Sequence, residues 1–259
     1  MKYIGVFDSG LGGLTVVRSI LNKRPHENIV FFGDLLNMPY GDRTREEITG
    51  FALHNMQVLE QYDLKALVIA CNTADSAAGE LIVQNAAEPV FGVIRSASEA
   101  AVSTTQNGRI GVIATRATIR SNAYPDLIRI LMPEARIFTQ ACPKLVPLIE
   151  AEHFGTNDPL IRDALQEYLP PLIQEGIETL VLGCTHYPLI ADTIADMFPG
   201  IHLVSSSDTA AAKVLEAVPD HEDNCGIQRI LVSAQPEFFT EKARLFMGDL
   251  LKTDAEYRK

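Results

Sequence analysis

Two stretches of the chain end an apolar run in a small residue, a cysteine and a hydrogen-bonding residue: LVIACNTADSA, which begins at Leu67, and LVLGCTHYPLI, which begins at Leu180. A thiol between a strand end and a helix start faces N–H groups and the positive end of the helix dipole, which favour the thiolate and attract anions. Asn72 and Thr73 follow Cys71, and Thr185 and His186 follow Cys184, so each thiol comes with groups suited to a carboxylate. A third segment, FDSGLGG, adds Asp8 and Ser9 as polar groups, and its Gly10, Gly12 and Gly13 let the backbone approach a ligand.

Each of these residues also has a plainer reading. Cysteine is among the most buried residue types, Asp8 can cap a helix, His186 can pack at a helix start, and Glu150, which ends LVPLIE, can be a solvated helix residue. The duplicated context argues for chemistry at Cys71 and Cys184. Cys142 and Cys225 lack that context and read as structural, and His26, His54, His153, His202 and His221 have no partner pattern. Cys71, Cys184 and His186 also have the composition of a Cys2His zinc site in a hydrolase, but no closely spaced cysteine pair supports it. GLGGLT opens like a dinucleotide-binding turn, yet Thr15 stands where the third Gly or Ala belongs.

The elements that must position these groups alternate between short apolar runs and longer segments of helical period, the pattern of mostly parallel sheet covered by helices. Strands are predicted in YIGVF, NIVFF, ALVIA, PVFGV, RIGVI, RIFT, TLVLG, IHLV and RILVS, and helices in segments such as 45–61, 158–175 and 236–247. YIGVFDSGLGG is echoed by RIGVIATRATI from Arg109, and each is followed by a strand that ends in cysteine. The expected fold is therefore two similar α/β domains with mostly parallel sheets, related by a pseudo-twofold axis, with the active site between them. Residues 1–97, completed by 208–259, form the first domain and 98–207 the second. Ligands in such folds bind beyond the carboxyl ends of strands, where both thiols lie.

Composition narrows the function classes. With 259 residues, 47% hydrophobic content and a formal charge of -11, the chain lacks the clustered cations of a nucleic-acid surface. No apolar run reaches the roughly 18 to 20 residues that span a bilayer, and the opening residues lead into a strand-like segment without a signal-peptide pattern. A cytoplasmic location with four reduced cysteines is expected.

The set IGVFDSGLGGLTV, PYGDR, ACNTA, TRATIRSNAYP, CPKLVPLIE and LGCTHYPLI resembles the glutamate racemases, cofactor-independent members of the aspartate/glutamate racemase superfamily, over nearly the whole chain. The resemblance implies that Cys71 and Cys184 are the catalytic thiols, with Cys184 taking the proton of L-glutamate and Cys71 that of D-glutamate. It implies that Asp8 and His186 assist them and that Glu150 is a carboxylate near the site. Substrate contacts would come from Asp8, Ser9, Pro39, Tyr40, Gly41, Asn72, Thr73, Thr185 and His186. The implied product, D-glutamate, feeds peptidoglycan; no cofactor or metal is implied, the partner is the small-molecule substrate, and a homodimer is one option for the assembly. A racemase for aspartate or a related acidic amino acid is the alternative within the superfamily, and a silent binding protein for acidic amino acids lies outside it. Departures from the family pattern fall at Asp75, Arg95, Ser96 and Ser205. Inverting a stereocentre by proton transfer requires removal from one face and delivery to the other, which is the task two opposed thiols can perform.

Overall fold

The computed structural model describes residues 2–220 and 224–258, so His221 lies outside the described residues. Ten strands occur among them: β1 (Tyr3–Asp8), β2 (Ile29–Gly33), β3 (Leu64–Ile69), β4 (Val90–Gly92), β5 (Arg109–Ala114), β6 (Arg136–Ala141), β7 (Thr179–Gly183), β8 (His202–Ser205), β9 (Gln228–Val232) and β10 (Ala255–Tyr257). They form a six-stranded sheet in the order β10-β9-β2-β1-β3-β4 and a four-stranded sheet in the order β6-β5-β7-β8. The pairings in both sheets are parallel. Continuous apolar runs explain this: β1, β2 and β7 are buried along their whole length, as strands covered by helices on both faces must be.

The internal echo in the sequence is a repeat of topology. Strands β2-β1-β3-β4 and β6-β5-β7-β8 follow the same permutation, so β3 and β7 occupy equivalent places. Register completes the equivalence. Phe7 lies beside Ile69 in the first sheet and Ala114 beside Gly183 in the second, which brings Asp8 and Cys71 to one carboxyl edge and Thr115 and Cys184 to the other.

Three differences from the sequence reading have local causes. The helical segment 158–175 divides into Pro159–Tyr168 and Pro170–Gln174, because Pro170 has no N–H to continue the first helix and suits the start of the second. Helix Arg45–Leu59 starts at the expected residue, held by a capping box between Thr44 and Glu47, but stops short of Gln61. Strand β10 was not anticipated: it has only three residues, AEY, and sits at the sheet edge beside β9 with Glu256 and Tyr257 exposed.

Two helices join the sheets. Val93–Thr104 leads from β4 toward β5, and Ser206–Ala217 follows β8 on the way to β9. Val93, Ala97, Ala210 and Val214 from these helices share one hydrophobic core with Val6 of β1 and Val112 of β5. The two sheets thus flank a common apolar centre, which fixes their carboxyl edges relative to each other. No helix among the described residues is long and apolar enough to cross a membrane.

Packing is close at the turn after β1. A Cβ built on Gly13 would lie 2.6 Å from Cβ of Asp8, 3.0 Å from Cε2 of Phe31 and 3.1 Å from Cβ of Ala70, whereas one on Gly50, within helix Arg45–Leu59, would meet nothing within 4 Å. Gly13→Ala is expected to destabilise the protein by about 1–3 kcal/mol through overpacking. Gly50→Ala is expected to stabilise it by about 0.5–1 kcal/mol through helix propensity. Urea unfolding of both variants checks the contrast, and equal effects would contradict it.

Candidate active site

The carboxyl edges of both sheets border a cavity of about 280 Å³. The catalytic and substrate-contact residues named from the sequence line it: Asp8 at the end of β1 and Ser9 after it, Pro39, Tyr40 and Gly41 after β2, Cys71, Asn72 and Thr73 after β3, Glu150, and Cys184, Thr185 and His186 after β7, whereas Gly10, Gly12 and Gly13 do not. Both thiols are almost fully enclosed, with Cys71 5% and Cys184 6% exposed. The zinc reading finds no geometry, since no group of three His, Cys, Asp or Glu side chains among the described residues is placed to hold a metal ion.

Cys71 is the N-cap of helix Asn72–Asn85, and its sulfur accepts the Ala74 N–H at 3.5 Å. Its thiol also reaches Oγ of Ser9 at 3.5 Å. The expectation that the helix terminus would lower the thiol's pKa is overturned here. Burial, reinforced by the charge of Asp8, pushes Cys71 up to about 12 against the hydrogen bonds of Ser9 and Ala74. Cys71 therefore rests as a protonated thiol at neutral pH, a proton donor aimed at the cavity.

The second wall is built differently. Cys184 precedes a tight 3-10 turn, Tyr187–Ile190, instead of a regular helix, and Tyr187 N–H bonds to the Cys184 carbonyl. Its sulfur lies 3.7 Å from Nδ1 of His186, whose Nε2 lies 3.1 Å from Oε1 of Glu150. Burial opposes a charge on His186, but the hydrogen bonds with Cys184 and Glu150 outweigh it and raise the imidazole to about 10. Cys184, His186 and Glu150 thus form a relay in which a cationic imidazole bridges the Cys184 sulfur and the Glu150 carboxyl group.

Asp8 stands between the walls. Its Oδ1 accepts the Gly10 N–H at 2.7 Å and its Oδ2 accepts the Thr185 hydroxyl at 3.3 Å. Burial raises its pKa, while His186 and the N–H groups of Gly10 and Gly13 work against the rise. The glycines serve this junction and not a ligand: a Cβ on Gly12 would lie 2.5 Å from Oγ1 of Thr185 and 2.6 Å from Nδ1 of His186. Tyr40 likewise keeps its hydroxyl for the protein, donating to Asp34 at 2.6 Å and accepting from Asn55 at 3.1 Å.

The sequence reading missed Thr115, Arg116 and the cavity position of Cys142, all of which line the same space. Thr115 Oγ1 lies 2.9 Å from Thr73 Oγ1 and 3.1 Å from Thr118 Oγ1, so a hydroxyl cluster links the first wall to the loop after β5. The signal was present, because the echo of the first strand sets Thr115 opposite Ser9. Cys142 is buried, its pKa is raised by that burial, and its thiol donates to the Gln140 carbonyl at 3.6 Å.

Residues 12–214 match the family model for Asp/Glu/Hydantoin racemase. The chain belongs to this racemase family. It is 42% identical over 254 residues to a glutamate racemase of Neisseria meningitidis, covering 95% of this chain and 92% of that protein. In fold it is similar to the glutamate racemase isoform RacE1 from Bacillus anthracis, with a TM-score of 0.91, 33% identity, and coverage of 100% of this chain and 97% of that one. It is also similar to the glutamate racemase from Francisella tularensis solved in complex with D-glutamate, with a TM-score of 0.87, 31% identity, and coverage of 99% and 95%. The family model covers both thiol-bearing loops.

The state of His186 is open to direct measurement. NMR of the imidazole in this racemase-family protein should give a midpoint near 10, and Glu150→Gln should lower it. Because the folded value is raised above 6.5, the stability it contributes is fully present below that pH and is lost as pH rises through about 10. A folded-state midpoint near 6.5 would contradict the relay.

Proposed function

We propose that this protein interconverts L-glutamate and D-glutamate without a cofactor, using Cys71 and Cys184 as acid and base on opposite faces of the alpha carbon. The observation that carries this reading is that two enclosed thiols border one cavity from equivalent strand ends, each beside its own ionisable neighbour. In the L-to-D direction, Cys184 removes the alpha proton, with His186 and Glu150 balancing the charge change at its sulfur. Negative charge spreads onto the substrate carboxylate, where the first turn of helix Asn72–Asn85 offers its positive end. Cys71, resting as a thiol, delivers its proton to the opposite face. The reverse direction exchanges the roles, with Asp8 beside Cys71 as the assisting group.

Glutamate is favoured over aspartate as the substrate by the family relatives named above, which are glutamate racemases. In this reading residues 1–97 with 208–259 form one domain and 98–207 the other, and their closure over the substrate excludes water and strengthens the carboxylate contacts. The protein works in the cytoplasm and supplies D-glutamate for peptidoglycan.

Circular dichroism of L-glutamate incubated with the protein and a chelator tests the reaction. Full decay of the signal to zero is expected, whereas no decay, or equal rates with aspartate, would overturn the assignment. Cys71→Ala and Cys184→Ala should each lower kcat/KM by at least ~10²–10⁴-fold, while Cys142→Ala, whose thiol is spent on the Gln140 carbonyl, leaves it within a few-fold. Because the two enantiomers are equal in energy, each variant must lose kcat/KM equally in both directions. Weakening His186 or Asp8 should therefore divide the loss differently between kcat and KM in the two directions. Normal turnover by either alanine variant of the thiol pair would remove that pair from the mechanism.

A further inference from the structure

Two of the departures noted in the sequence, Asp75 and Arg95, meet behind the active-site wall. Asp75 lies on helix Asn72–Asn85, one turn beyond Cys71, and its Oδ2 accepts the backbone N–H of Ile94 at 2.8 Å. Ile94 is the second residue of helix Val93–Thr104, whose N-cap, Gly92, has no side chain with which to satisfy that end. The carboxylate is cradled by two glycines. A Cβ on Gly79 would lie 2.4 Å from Oδ1, and one on Gly92 would lie 2.6 Å from both carboxylate oxygens. Asp75 thus caps, from another element, the helix that leads from the first sheet to the second.

We propose that Asp75 is a positioning residue, clamping the helix that carries Cys71, Asn72 and Thr73 to the helix that crosses between the sheets, and so fixing how far the two thiol-bearing walls stand apart. The inference rests on the two-thiol reading above for its effect on turnover, but not for the clamp itself. The first residue of the same helix is tied independently, since Tyr124 donates to Oδ1 of Asn72 at 2.6 Å and Asn72 donates to Ser206 Oγ at 3.2 Å. Helix Asn72–Asn85 is therefore gripped near Asn72 by side chains that follow β5 and β8, and at Asp75 by the crossing helix. Releasing one grip lets the first turn move while the other holds.

The charged groups around Asp75 come from four elements: Arg95 on the crossing helix, Arg45 on helix Arg45–Leu59, Glu80 on its own helix, and Asp126 and Tyr124 on helix Ala123–Leu131. Arg45 is directed to the Ala77 carbonyl at 3.4 Å, Arg95 lies 3.8 Å from Glu99, and Asp126 lies 3.5 Å from Arg129. Burial dominates over the Ile94 N–H and Arg95 and raises Asp75 to about 7. Above that pH the clamp is a carboxylate holding a helix N-terminus, and below it a weaker acceptor, the neutral acid. The raised value also means that the stability from the protonated form is present at low pH and lost as pH rises through about 7.

Amide exchange and kinetics separate the clamp from the catalytic reading. In Asp75→Ala the amides of residues 93–96 should exchange faster without any substrate present, and kcat/KM should fall about tenfold from misplacement of the first wall. Asp75→Asn, which keeps the shape and an acceptor oxygen, should restore exchange protection and kcat/KM to within a few-fold. It should also abolish an inflection near pH 7 in the wild-type pH profile and in the Ile94 amide shift. Unchanged exchange in Asp75→Ala, or an inflection that persists in Asp75→Asn, would overturn the clamp. Altered exchange with an unaltered kcat/KM would overturn its positioning role, and should Asp75→Ala not fold, Asp75→Asn decides both points.

Discussion

The close approach of the turn after β1 to the loop after β7 is the constraint on which the site depends. Gly12 lies where any side chain would strike Thr185 and His186, and Gly13 where it would strike Asp8. At the same seam Thr15 bonds to the Thr185 carbonyl at 2.8 Å and meets Ser207 at 2.7 Å. Strand ends from two different sheets are thereby locked within hydrogen-bond reach, and the cavity between them inherits one thiol from each. Without this seam, the topological repeat would give two separate half-sites, each with a single thiol and nothing on the opposite face of a bound carbon.

The repeat supplies two thiols, but the two walls are not copies. Cys71 is held as a thiol by burial and the Asp8 charge. Cys184 sits in a relay with a cationic His186 and Glu150. The asymmetry leaves a protonated thiol on the side of Cys71 and a sulfur beside an imidazolium on the side of Cys184.

Much of this was legible in the sequence because the chemistry sits where apolar runs end. Periodicity located nine of the strands, and the repeated cysteine context identified both thiols and their polar neighbours. What it could not show was depth. A helix terminus argues for a lowered thiol pKa, but the enclosure of Cys71 depends on residues far away in the chain and reverses the sign. Nor could spacing show that Gly12 makes room for side chains of the other half, since that contact joins residues more than a hundred positions apart. Thr115 escaped notice because, although the strand echo sets it opposite Ser9, no cysteine stands beside it to mark it. Asp75 stood out as a departure, yet its partner, the Ile94 N–H, is a backbone group that no side-chain pattern reveals.

The central claim is that two separate sulfurs, not one mobile base, carry the proton across the alpha carbon. Racemisation in heavy water, stopped early and analysed by mass spectrometry of the separated enantiomers, tests it in each direction. Each thiol holds one proton, and the one that delivers has equilibrated with solvent. Newly formed enantiomer should therefore carry deuterium at the alpha carbon while unconverted substrate carries almost none. Product that keeps the original hydrogen in most early turnovers would contradict the account by pointing to a single shared base.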